Sequence, residues 1–143
     1  MLRPIILFVS IVAMIFILAQ PIAVIAKSTS ENVHKETTEA WDAIKAYMVD
    51  KKHEAFAHGK ELLHKADARI EELEGEAAKA SGDTKAQYQK EIKDLKKKRA
   101  NAAKKLDELE KSSASTWDSA KHGFAEAYKD LLDAYHEAAK KFN

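Results

Sequence analysis

Two tetrapeptides carry the spacing of a carboxylate–imidazole metal pair, Glu61-Leu62-Leu63-His64 and its aspartate analogue Asp133-Ala134-Tyr135-His136. Residues three apart share one face of a helix, so each tetrapeptide would present both ligand types together. Di-iron carboxylate bundles place two such motifs inward on different helices and add two further glutamates. Here the four side chains lie off the apolar seams of their segments, and a helix pairing that turns at 81–83 sets the two motifs far apart. His53, Glu54, His58 and Glu61 fall on i,i+4-type spacing and could at most hold a cation on an exposed face. The reading adopted is a solvated polar face with no metal and no cofactor; His53, His58, Glu61 and His64 stand as the candidates for the metal alternative.

Nucleophilic chemistry finds less. The serines of Ser112-Ser113-Ala114-Ser115 have no histidine nearby before His122 and read as helix punctuation. Glycines stand singly at 59, 75, 82 and 123, so there is no glycine-rich phosphate loop. The absence of cysteine removes thiolate chemistry and any disulfide framework. A non-enzymatic protein is expected.

The elements that hold these residues are helical. An apolar 4-3 spacing runs through Tyr88, Ile92, Leu95, Ala102, Leu106, Leu109, Trp117, Ala120, Phe124, Ala127, Leu131, Ala134, Ala138 and Phe142, with Arg99 and Ser113 as polar members. A second seam covers Trp41, Ile44 and Met48, then Phe56, Gly59, Leu63, Ala66, Ile70, Leu73, Ala77 and Ala80; between Met48 and Phe56 it slips to 4-4 through Lys52. Ser81-Gly82-Asp83 is the clear break, with Gly82 suited to a left-handed turn and Asp83 to a helix N-terminus. So short a connection predicts an all-α, long antiparallel helical hairpin or coiled coil over 33–143, turning at 81–83 and pairing residue i with roughly residue 164 − i. That register sets Asp67, Glu71 and Glu74 opposite Lys97, Lys93 and Lys90. It also sets Trp41 near Phe124 and Trp117 near Tyr47.

The second helix is expected to run from Thr84 to Phe142, roughly 90 Å at 1.5 Å per residue. The alternative is a break near Ser113, where Ser115-Thr116-Trp117-Asp118 resembles a capping box, giving a three-helix bundle. In either case the aromatics gather away from the turn, so Trp41, Trp117, Phe124, Tyr128 and Tyr135 are the candidate interaction surface.

The first 26 residues have a different character. Arg3 precedes an uncharged stretch from Ile5 to Ala26, interrupted by Gln20-Pro21 and ending Val24-Ile25-Ala26. This predicts a signal peptide at 1–26 cleaved before Lys27, followed by a polar tether at 27–32. The alternative is an N-terminal transmembrane anchor, since about 20 apolar residues span a bilayer. Beyond Ala26 the 23 basic residues balance 23 acidic ones, which argues against a nucleic-acid partner. The basic run Lys90–Lys105 could touch a membrane or an anionic envelope surface, but pairing with Glu71–Glu76 accounts for most of it.

Trp41-Asp42 through Lys45, Arg69-Ile70-Glu71-Glu72-Leu73-Glu74, and Trp117-Asp118 with Phe124, Tyr128, Tyr135 and Phe142 resemble the uncharacterised exported Ala/Lys/Glu-rich coiled-coil proteins of Gram-negative bacteria. The amphipathic pattern is also loosely similar to exchangeable apolipoproteins, although their proline-punctuated repeats are missing. The resemblance implies a structural or interaction protein of the periplasm or cell envelope, or one secreted. Its expected partner is another protein or a second copy in a dimer. The anchored alternative would project from the inner membrane as a single-pass protein.

Overall fold

The computed structural model describes residues 30–142. The expected signal peptide or anchor at 1–26, and residues 27–29 of the expected tether, lie outside the described residues. Helix α1 spans Ser30–Ala46, α2 Lys52–Lys79, α3 Gly82–Lys111 and α4 Trp117–Lys141, and the four pack against one another. α1 therefore begins inside the stretch expected as tether. A 3-10 turn, Val49–Lys51, joins α1 to α2. Among the described residues no strand occurs, and no helix is long and apolar enough to cross a membrane.

The two expected long helices are each cut once, which replaces the hairpin by four shorter helices. The segment expected as one helix from Thr84 to Phe142 stops at Lys111 and restarts at Trp117, so the break near Ser113 is real. Ser112 is extended (φ −67°, ψ 148°), and Ser113 N–H donates to Thr116 Oγ1 at 2.9 Å. Hydroxyls that bond the local backbone offer it an alternative to the helical ladder, and four of the five residues here carry one. The other cut, at Tyr47–Lys51, falls on the 4-4 slip. Met48 is extended there (φ −87°, ψ 161°), and the place a seam residue would fill belongs to Lys52.

Among the described residues none of the three expected charge pairs forms, but α2 and α3 do lie antiparallel. Asp67 chelates the Arg99 guanidinium through two bonds of 2.7 and 2.8 Å, and Glu74 pairs with Lys96, so α2 and α3 run antiparallel. Asp67 pairs two residues beyond Lys97, and Glu74 six residues beyond Lys90. On the other side of the breaks, Trp117 meets the Tyr47 carbonyl and the Trp41 and His122 rings lie edge to face at 5.4 Å. All of these fall within a few residues of one register. The chain thus doubles over at the two breaks, with α1 against α4, α2 against α3, and α3 against α4. The ring stack of Tyr88 on Phe142 (3.6 Å between centroids) then brings the far end of α4 back to the start of α3.

Doubling over explains which faces are buried. α3 buries a single stripe, Tyr88, Ile92, Leu95, Ala102, Leu106 and Leu109. α4 has neighbours on more sides and buries a wider face: Trp117, Phe124, Ala127, Leu131 and Ala138, plus Lys121, Ala125, Tyr128 and Leu132. α1 contributes Thr37, Ala40 and Ile44. Met48, expected on the seam, is 66% exposed because the break rotates it out of the core.

Two glycines in α2 behave oppositely. A Cβ at Gly59 would collide with Leu106 Cδ1 and come within 3.2 Å of the Phe124 ring, so α2, α3 and α4 converge there because no side chain intervenes. At Gly75 a Cβ would meet nothing within 4 Å. Alanine in a helix gains about 1 kcal/mol over glycine, and overpacking a filled core costs about 1–3 kcal/mol. Gly75→Ala should therefore raise the unfolding midpoint, and Gly59→Ala should lower it despite the same gain in helix propensity. Paired urea titrations of the two variants check this.

Candidate interaction surface

The end of the bundle where both breaks lie is held by a reciprocal set of bonds. A helix leaves its last carbonyls without intrahelical partners, and cations near that end are favoured by its dipole. Just past α1, the Tyr47 carbonyl accepts from Trp117 Nε1 and from Lys121 Nζ, each at 3.0 Å. Just past α3, the Ser112 carbonyl accepts from Lys52 Nζ at the start of α2. Each break thus presents its carbonyl to a cation from a helix distant in sequence, Lys121 of α4 or Lys52 of α2. Lys121 is only 8% exposed, and Asp118 Oδ1 lies 3.4 Å from its ammonium. Tyr47 is fixed further by its hydroxyl, 3.2 Å from His58 Nδ1, with the two rings edge to face.

This clasp leaves Met48 and Val49 at the tip, the two exposed large apolar residues among the described ones. Further down α1, half-buried Trp41 carries the Lys45 ammonium 5.2 Å over its ring. Beside it runs a groove of about 410 Å³ between α1 and α4, lined by Thr37, Thr38, Trp41, Glu126, Lys129 and Asp130.

The aromatic surface expected from sequence needs correction. Trp117, Phe124 and Tyr128 are core residues, each exposed by no more than 3%, because doubling the chain buries this half of the seam between helices. Trp41 and Tyr135 are half-buried. Sequence reasoning missed Met48 and Val49 as exposed residues and Lys121 as a buried one. The 4-4 slip beside Met48 was the signal for the first; nothing in the sequence marks Lys121 apart from the other lysines.

The histidines are not brought together. His53 and His64 are exposed, His58 is committed to Tyr47, and Glu61 pairs with Lys65. His64 lines a charged groove with Asp67, Glu74, Lys96 and Arg99. Among the described residues no three His, Cys, Asp or Glu side chains gather as a metal site. Of the basic run, Lys96 pairs with Glu74, Arg99 with Asp67 and Lys105 with Glu108, so among the described residues a single lysine of that run meets the Glu71–Glu76 cluster expected to engage most of it.

One polar cluster sits where α1, α2 and α4 meet. Arg69 pairs with Glu36 and lies 5.5 Å over the Tyr135 ring. Its Nη1 and the neighbouring Tyr128 hydroxyl are buried without a hydrogen-bond partner. Burial pushes the Tyr128 phenol up to about 12, with Arg69 opposing and Glu36 adding to the rise. Burial likewise raises Tyr135, with Glu72 contributing.

A phenol with a raised folded pKa gives stability that is present below its unfolded value, near 10, and lost as pH climbs through 12. Alkaline unfolding followed by circular dichroism and phenolate absorbance should fall in that window. Tyr128→Phe removes an unpartnered buried hydroxyl, so it should leave stability at neutral pH unchanged or slightly higher and diminish the alkaline loss. Comparison with family models, curated proteins and solved structures finds no match to this chain.

Proposed function

We propose that this chain is a non-enzymatic helical interaction protein of the periplasm or cell envelope, exported by residues 1–26 with cleavage before Lys27. Its contact with a protein partner is made by the tip at Met48 and Val49. The observation that carries this reading is their exposure, 66% and 38%, in a chain whose other large apolar side chains among the described residues are buried or partly covered. The tip is small, so the contact is a weak or transient one rather than an obligate interface. Support for export comes from the order of residues at the N-terminus, a basic start, an apolar stretch and small residues before Lys27.

A photoreactive side chain at Val49, tested in the producing cells, should give one discrete adduct with an envelope protein, while the same group at exposed Glu61 should not. The double change Met48→Ser with Val49→Ser should abolish capture by a probe placed at neighbouring Lys51, leaving the helical circular dichroism unchanged. Mass measurement should show a chain beginning at Lys27. A chain retained in the cytoplasm, or equal adducts at both positions, overturns the proposal. A chain that keeps residues 1–26 and sediments with the inner membrane replaces export by single-pass anchoring.

A further inference from the structure

We infer that two copies of this chain exchange halves: both breaks straighten, and the α1/α4 half of each copy packs on the α2/α3 half of the other. Three observations carry this. First, one register runs through the molecule, from Asp67 opposite Arg99 and Gly59 near Leu106 to Tyr47 opposite Trp117 and Trp41 opposite His122. The two helix pairs are successive stretches of one antiparallel hairpin, and both bends lie at the same level of it, bonded to each other through Lys52 and Ser112.

Second, nothing covalent enforces the bends. Tyr47–Lys51 and Ser112–Thr116 contain neither proline nor glycine, and the positive backbone φ among the described residues belongs to Gly82 at the other end. A few dihedral changes per break turn each bent pair into one continuous helix. Third, the bend carries an apolar cost that straightening removes. Met48 is 66% exposed in the folded-back chain, yet it holds the seam position between Ile44 and Lys52. In a straight helix it faces the partner strand near Thr116.

Opening one copy separates α4 from its own α2 and α3, and the same packing re-forms between copies. This is the low-cost route to a dimer that identical exchanged elements offer. The partner is a second copy, and its recognition chemistry is the chain's own core. The inference goes beyond the envelope contact and does not need it, although both draw on one segment: Met48 and Val49 lie within the Tyr47–Lys51 break, so the monomer presents the tip and the exchanged dimer covers Met48.

The test uses the protein as isolated from cells, with Lys85→Cys and Lys140→Cys as spin-label sites in a chain that has no cysteine of its own. These positions share one end of the folded-back chain, where Tyr88 stacks on Phe142 and Glu91 pairs with Lys141. In the straightened chain they stand about 80 Å apart along one continuous helix. Refolding at high concentration should give a dimer of roughly twice the monomer's length. In that dimer, diluting the doubly labelled chain into excess unlabelled chain before refolding should erase the short label–label distance. In the monomer fraction the short distance should persist.

Ser113→Pro supplies the second arm. Ser112 already has the backbone that a residue before proline adopts, and the bond given up by Ser113 N–H is an exposed one. Proline forbids the straight helix, so dimer formation should fall by about a hundredfold or more while Val49 crosslinking is retained. Absence of any dimer, a dimer whose short distance survives dilution, or unchanged dimerisation of S113P overturns the inference.

Discussion

The arrangement of this chain depends on how it satisfies two helix ends that face each other. Cutting a long helix leaves carbonyls without partners at each cut, and hiding them from water without replacement bonds is costly. The Tyr47 carbonyl receives an indole N–H and an ammonium; the Ser112 carbonyl receives a second ammonium. These bonds also make a buried Lys121 tolerable, since a cation removed from water needs bonded oxygens around it. Each of the three donors is bound to the far side of the fold, more than fifty residues away in sequence. The clasp therefore sets bundle topology, and the apolar seams set the helices within it.

Behind the clasp, packing is closest where Gly59 lets Leu106 and Phe124 approach the α2 backbone. Below that lies the Glu36–Arg69–Tyr128–Tyr135 cluster, where a cation and two phenols share an otherwise apolar junction. Such a cluster adds little net stability when measured against a well-packed apolar replacement. It does restrict how α1 can sit, because Glu36 reaches Arg69 in one rotational setting of that helix.

Much of this was legible in the sequence. The seam residues Ile70, Leu73, Leu95, Leu106 and Leu109 are buried as the spacing requires, and the turn at Ser81–Gly82 uses the positive φ that glycine permits. The proximity of Trp117 to Tyr47 followed from register alone. Doubling over was harder to read, because both breaks occur without proline or glycine and the apolar phase continues across Ser113. The available signal was the width of the apolar face in α4. Phe124-Ala125, Ala127-Tyr128 and Leu131-Leu132 are adjacent pairs, more than a two-stranded seam can cover. The tip at Met48–Val49 was invisible for the same reason, since its exposure is a consequence of the bend. As for chemistry, Glu-x-x-His spacing on one helix needs a converging set from its neighbours, and register decides that.

The single register has a consequence for the order of assembly. Pairs near Gly82 are close in sequence, and each pair further out adds only a small increment of loop to the one already formed, so α2 and α3 can close like a zipper from the turn. α1 is tied to α4 through Trp41 and His122, 81 positions apart (122 − 41), a contact of longer loop than those between α2 and α3. It is the helix whose removal leaves the most of the fold intact, and the one whose amide protons should exchange soonest with solvent. The chain thus carries a gradient of permanence along its length, firm at the turn and most easily undone at Ser30–Ala46.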